Sequence, residues 1–69
     1  MKGRLIVLLK DRRQTAGLTQ ATLADDVGVS RKTINTIENG VFVPSTVLAL
    51  RLAARLNCSV HDLFALPSA

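Results

Sequence analysis

Residues 20–39, QATLADDVGVSRKTINTIEN, form two short segments that carry apolar residues at helical spacing, with a glycine between them. Ala24 is small enough for a point where two helices cross steeply, and Gly28 follows four residues later, where a chain reversal needs positive φ. Ile34 and Ile37 are three residues apart, so both lie on one face of a helix. The stretch therefore predicts two helices joined by a tight turn.

The second of these helices is predicted to be polar on the face away from its isoleucines. Arg31, Lys32 and Thr36 can donate hydrogen bonds, and Glu38 is the only acid in the segment. In a helix-turn-helix the second helix enters the DNA major groove with its N-terminal residues leading. Arginine or lysine can bind guanine O6 and N7 there, and a threonine methyl can contact thymine. The alternative is an ordinary helical hairpin whose polar face is only solvated.

Residues that end and begin helices punctuate the rest of the chain at regular intervals. Helix stops are predicted at Gly17, Gly28, Gly40, Asn57 and Pro67. N-caps are predicted at Thr19, Ser30, Ser45 and Ser59. Ser59 also has an acid three residues later, Asp62, which completes a capping box.

This punctuation predicts five helices and an all-α fold. The predicted helices span about 3–15, 19–27, 30–39, 45–56 and 59–65. The run RLIVLL at residues 4–9 has strand propensity, but we predict a helix because good helix formers without a turn residue follow it. The apolar stripes of these helices predict a core of Leu5, Ile6, Leu9, Leu23, Ala24, Val27, Ile34, Ile37, Val47, Leu48, Leu52, Leu56, Val60, Leu63 and Phe64.

Composition limits the classes to which the chain can belong. The 69 residues fit one domain, 1–69, and 48% apolar content is too high for a disordered chain. The formal net charge of +4 favours an anionic partner, and the single cysteine excludes an internal disulfide. The apolar run at residues 5–9 is too short to span a bilayer, and charged KDRR follows it instead of a cleavage site. We therefore expect a cytoplasmic protein with no membrane partner.

Two longer stretches resemble a known family. They are AGLTQATLADDVGVSRKTINTIENG, residues 16–40, and VPSTVLALRLAARLNCSVHDLF, residues 43–64. Together they look like the Cro/CI-type helix-turn-helix regulators, also called xenobiotic-response-element regulators, over about residues 9–64. The resemblance implies a compact five-helix, phage-repressor-like DNA-binding domain that binds double-stranded operator DNA, usually as a homodimer.

The resemblance also implies a role for each residue that matches the family pattern. Base-reading positions are Arg31, Lys32 and Thr36, with Thr33 and Asn35 as possible additions. Phosphate-contacting positions are Gln20, Thr19, Ser30 and Asn39. Arg13 and Glu38 match a structural ion pair that links the first and third helices in some phage repressors. For Arg13 the alternative is a solvated or phosphate-facing side chain.

Candidate residues for chemistry have simpler interpretations. Cys58 and His61 are only two ligands and do not make a zinc site, so Cys58 is interpreted as structural and His61 as solvated. Asp25 and Asp26 are adjacent and therefore face different sides of a helix. The sequence predicts no catalytic residue, no metal site, no cofactor and no enzymatic activity.

Val7, Leu8 and Phe42 each have two interpretations. Val7 and Leu8 are surplus to the predicted core, and they either form a self-association surface or cover a larger local core. Phe42 is either a lid on the core or an exposed anchor near the DNA backbone.

The sequence therefore predicts a sequence-specific DNA-binding transcriptional regulator, most simply a repressor that binds a pseudo-palindromic operator as a homodimer. One rival is the antitoxin of a toxin–antitoxin pair, which would have a toxin as protein partner and repress its own operon. The other is a protein-interaction adaptor that keeps the fold and has lost DNA binding.

Overall fold

The structure, a computed structural model, describes residues 5–67. Within that range the chain forms five helices and a two-stranded antiparallel ladder, so the predicted all-α class with five helices is confirmed. The helices are α1 (Leu9–Thr15), α2 (Gln20–Val27), α3 (Arg31–Glu38), α4 (Thr46–Arg55) and α5 (Val60–Leu63). The ladder strands are β1 (Ile6–Val7) and β2 (Phe64–Ala65).

The core is aliphatic and is shared by all five helices. Its fully buried side chains are Leu9, Leu23, Ile34, Ile37, Leu52 and Leu63. Since no helix here exceeds ten residues, none would be stable alone in water, and burial of these side chains holds the helices together. Each such side chain contributes roughly 1.5–3 kcal/mol when it leaves water.

The predicted start of the first helix is wrong. We expected a helix over 3–15, but α1 begins at Leu9, and residues 3 and 4 lie outside the described part of the chain. Ile6 pairs with Ala65 and Val7 with Phe64. The β-branched residues of this run therefore follow their strand propensity, because β2 offers a partner that the local sequence does not show.

Three smaller expectations also need correction. The last helix ends at Leu63 instead of residue 65, because Phe64 is extended, with φ −139° and ψ 138°. Ile6 is 42% exposed because ladder pairing turns it outward. Val47 is 58% exposed, and Ala53 takes the predicted place of a core residue on α4.

Three connections between helices have the same three-residue pattern. Each has a residue with positive φ, then an apolar residue packed against the core, then an N-cap. These connections are Gly17–Leu18–Thr19, Gly28–Val29–Ser30 and Asn57–Cys58–Ser59. The apolar residue donates its N–H to the carbonyl five residues earlier in every case, which is the Schellman bond that ends a helix. The predicted stops and caps are thus found at all three connections.

Across residues 5–67, none of the helices has both the length and the apolar character needed to cross a bilayer.

Candidate nucleic-acid interface

Helices α2 and α3 form the helix-turn-helix that residues 20–39 predict. Gly28 ends α2 with φ 81°, and Val29 donates to the Ala24 carbonyl over 3.0 Å. Ala24 is only 1% exposed, so its small side chain allows the two helices to pack closely. The turn therefore fixes the direction in which α3 leaves α2.

One side of α3 is anchored in the core and the other faces solvent. Ile34 and Ile37 are 0% exposed, whereas Arg31, Lys32 and Asn35 are exposed. Successive residues turn by about 100° around a helix, which places the three exposed side chains on one continuous face. This exposed face of α3, defined by Arg31, Lys32 and Asn35, is the candidate reading surface.

Two of the predicted base-reading residues lie at the border of that surface. Thr33 and Thr36 are half-buried. The Thr36 hydroxyl donates to the Thr33 carbonyl over 2.9 Å, and the Thr33 hydroxyl lies 2.9 Å from that of Ser30. Because both hydroxyls already have local hydrogen-bond partners, their methyl groups are the better candidates for contact with a base.

The reading surface is positively charged. Among the described residues, neither Arg31 nor Lys32 forms a salt bridge. The one acid of α3, Glu38, is turned away from this surface and is bound to Arg13. The α3 N-terminus adds its own partial positive charge on the same side. The surface therefore suits an anionic partner.

Arg13 and Glu38 form an interior ion pair between α1 and α3. Arg13 Nε and one terminal nitrogen donate to the Glu38 carboxylate over 2.6 and 3.1 Å, and the other terminal nitrogen donates to the Leu18 carbonyl over 2.9 Å. The side chains are 10% and 2% exposed. The hydrogen bond to Glu38 raises the pKa of Arg13 above its ordinary value, against the opposing effect of burial. The solvated alternative for Arg13 is therefore excluded.

Gln20, the first residue of α2, is joined to this pair. Its Nε2 amide donates to Glu38 Oε1 over 2.9 Å and to Asn35 Oδ1 over 3.2 Å. Sequence reasoning missed this connection, since the amide was expected to face phosphate. A polar residue in the first turn of α2, opposite the only acid of α3, was the available signal.

The other predicted phosphate-contacting residues lie at helix ends. Thr19 and Ser30 are exposed and cap α2 and α3, each accepting a backbone N–H at the third helical residue over 3.0 and 3.1 Å respectively. Asn39 is exposed directly after α3. These three residues flank the reading surface at the two ends of α3 and at the start of α2.

A short apolar segment borders α3 on its threonine side. Val41 and Phe42 line a shallow groove together with Lys32, Thr33 and Thr36. Phe42 is 46% exposed and does not belong to the buried core, which removes the interpretation of Phe42 as a core lid. Val41 is 77% exposed, which its apolar character does not predict.

Known proteins share this arrangement. A family profile described as Helix-turn-helix matches residues 9–63. An HTH-type transcriptional regulator of Methanothermobacter thermautotrophicus is 43% identical over 60 residues, which cover 86% of this chain and 87% of the relative. The ImmF control region 10 kDa protein of Bacillus phage phi105 is 37% identical over 60 residues, which cover 87% of this chain and 67% of that protein.

Solved structures agree with this match. The restriction-modification controller protein C.AhdI of Aeromonas hydrophila superimposes with a TM-score of 0.76 at 36% identity, over 81% of this chain and 85% of that one. The P22 c2 repressor, solved in complex with a synthetic operator, superimposes with a TM-score of 0.74 at 32% identity, over 77% and 80% of the two chains. Because the family match spans the helices that build the site, the protein belongs to the helix-turn-helix family and is a Cro/CI-type transcriptional regulator.

Proposed function

We propose that the protein is a cytoplasmic repressor that binds double-stranded operator DNA in a sequence-specific manner. The observation that carries the proposal is the exposed basic face of α3 on a helix whose opposite face is fully buried. Arg31 and Lys32 supply the donors that guanine O6 and N7 accept, and each such contact discriminates a base by roughly 1–3 kcal/mol. Relatives named as transcriptional regulators and a repressor solved with its operator support this assignment.

We infer that the repressor acts as a homodimer on a pseudo-palindrome. Two copies related by a two-fold axis would place their α3 helices in successive major grooves, with half-sites about 34–36 Å apart. Such a dimer needs a surface that is complementary to itself, and an uncharged apolar surface meets that condition.

Such a surface lies at the start of α4. Val43, Val47 and Leu50 are 67%, 58% and 57% exposed. Val43 and Leu50 border an apolar groove that β2 and α5 also line. Residues 41–50 contain no charged side chain, although the chain carries a net charge of +4. The surface defined by Val43, Val47 and Leu50 is our candidate dimer surface. Val7 packs against the core, so of the two surplus residues only Leu8, at 38% exposure, is available for association.

Titration of a random-sequence duplex at several salt concentrations between about 50 and 200 mM tests DNA binding. We expect weak affinity that falls linearly with salt on logarithmic axes, because counterions are released from phosphate. On a random duplex, where no base is read, we expect Arg31 and Lys32 to lie against phosphates, so the double variant Arg31→Ala/Lys32→Ala should reduce the slope by about two. Arg12→Ala, which removes a charge from α1, is the control and should leave the slope unchanged.

The same titration separates the rival functions. Absence of any duplex binding would favour the protein-interaction adaptor and overturn our proposal. Copurification of a second small protein that releases the chain from DNA would instead indicate the antitoxin.

A further inference from the structure

A series of hydrogen bonds runs from the interior ion pair to the reading surface. Arg13 holds the Glu38 carboxylate, Glu38 accepts from Gln20, and Gln20 donates to Asn35. We propose that Glu38, through Gln20, fixes the orientation of the Asn35 amide and thereby makes Asn35 select guanine over adenine. The inference rests on the proposed function and names a specificity-determining element within it.

The first step is the orientation of Gln20. An ionised carboxylate only accepts hydrogen bonds, and an amide group has one accepting and one donating end. Glu38 is 2% exposed, and its carboxylate is paired with the Arg13 guanidinium. Gln20 must therefore turn Nε2 toward Glu38 Oε1, since the reverse orientation would place two oxygens against each other. The acceptor-only character of Glu38 thus assigns an amide orientation that geometry alone leaves open.

The second step transfers this orientation to α3. The Nε2 group of Gln20 carries two protons, and its two partners are Glu38 Oε1 at 2.9 Å and Asn35 Oδ1 at 3.2 Å. Asn35 Oδ1 is accordingly turned toward α2. Asn35 is exposed, so its Nδ2 amino group is left to face the solvent side of α3. The reading surface presents donors at all three of its positions: Arg31, Lys32 and Asn35.

The third step is the consequence for base recognition. An asparagine that is free to rotate prefers adenine, because its oxygen accepts from N6 while its nitrogen donates to N7. With Oδ1 held by Gln20, that pairing is lost, and the outward amino group meets the adenine amino group unfavourably. Guanine offers two adjacent acceptors, O6 and N7, which suit the amino group. The residue type alone would predict the opposite preference.

Selection of bound duplexes from a random pool tests the proposal. Asn35→Ala first identifies the base that Asn35 faces, as the position where the selected preference disappears. We expect the wild type to prefer guanine there. Gln20→Leu removes the hydrogen bonds to both Glu38 and Asn35, leaves the Arg13–Glu38 pair in place, and should shift the guanine-to-adenine ratio toward adenine by roughly tenfold.

A second glutamine, Gln14, provides the matched control. Gln14→Leu makes the same exchange at an exposed glutamine of α1 and should leave the ratio unchanged. If Gln20 contacts only phosphate, Gln20→Leu will weaken all sequences alike and leave the ratio at the wild-type value, which overturns the proposal. A wild-type preference for adenine at that position overturns it as well.

Nuclear magnetic resonance of the free protein separates this inference from DNA binding itself. The Gln20 Nε2 protons should exchange slowly with water and the Asn35 Nδ2 protons rapidly, whereas the reverse would show that the amide orientations are wrong. If these exchange rates are as expected but no duplex binds, the proposed function is refuted, and the proposed base preference is refuted with it. If the duplex binds and the exchange rates are reversed, only the inference has failed.

Discussion

Arg13 and Glu38 are the residues whose interaction joins the most parts of the structure. They link α1 to α3, contact the Leu18 carbonyl in the first connection, and hold Gln20 at the start of α2. An interior ion pair contributes little net stability, since desolvation offsets attraction, but either partner alone is costly. The pair therefore acts on the relative positions of the helices more than on the total free energy.

Removal of one member of the pair should be far more costly than removal of a neighbouring arginine. We expect Arg13→Ala to lower the free energy of unfolding by about 3–5 kcal/mol, because Glu38 is left buried without its partner. The control is Arg12→Ala, whose salt bridge to Asp62 is solvent-exposed and should be worth less than about 1 kcal/mol.

Urea unfolding followed by circular dichroism measures both changes. A chain of this size has about 3–10 kcal/mol of total stability, so Arg13→Ala should have a visibly lower unfolding midpoint or be unfolded without urea. Equal midpoints for the two variants would show that the pair is not structurally required.

At the scale of elements, the helix ends could be predicted from sequence and the strands could not. Gly28 and Ser30 have strong local preferences, so their roles follow from residue type. Ile6 and Val7 form a ladder only because Phe64 and Ala65, at the other end of the described chain, become extended beside them. Pairing at that distance leaves no local signal.

The same limit applies to the candidate site. The burial of Ile34 and the exposure of Arg31 follow from helical periodicity, and both were predicted. The hydrogen bonds of Gln20 depend on how closely α2 packs against α3. A single sequence does not give the distance between two helices. Helical spacing predicts that Val47 belongs to the core, and only the packing of α4 shows that it is exposed.

Helix α5 provides a prediction about pH. The backbone N–H and then the hydroxyl of Ser59 donate to the Asp62 carboxylate over 2.9 and 3.1 Å, and these bonds lower the pKa of Asp62 below its ordinary value. Because the pKa of Asp62 is lowered in the folded state, Asp62 contributes fully to the free energy of unfolding at neutral pH. This contribution is lost as the pH falls through the folded-state pKa, which lies below the ordinary value of about 3.9.

Comparison of the wild type with Asp62→Asn should show this dependence. The difference in free energy of unfolding between the two proteins should be constant at neutral pH and shrink as the pH falls below about 4. Urea titrations at several pH values measure it, and the other acids affect both proteins alike. A difference that stays the same down to about pH 2 would mean that the carboxylate of Asp62 does not carry the cap.

At the scale of the whole molecule, we propose separate roles for the basic and the apolar surfaces. Arg31 and Lys32 face outward on α3, whereas Val43, Val47 and Leu50 are exposed on the segment that follows it. In our proposal one surface binds DNA and the other joins two copies, so we expect operator affinity to depend on both. A change on the apolar surface should therefore act on DNA binding without touching a DNA contact.

Leu50→Glu tests this division. A charge at the centre of a two-fold interface lies next to the same charge of the other copy, so we expect the dimer to dissociate and operator affinity to fall at least tenfold. The free energy of unfolding of the monomer should change by less than about 1 kcal/mol. Sedimentation equilibrium and operator titration measure the two effects. Gln14→Glu adds the same charge on α1 as a control, and a Leu50→Glu protein that stays dimeric would place the interface elsewhere.

The repeated three-residue connections also bear on how fast the chain acquires its structure. Helices joined so closely meet partners that are near in sequence, and proteins with mostly local contacts fold within microseconds to milliseconds. The β1–β2 ladder is the exception, because it must close a loop that encloses all five helices before it gains a single bond. The two ends of the described chain are therefore expected to join last, after the helices that position α3 have already assembled.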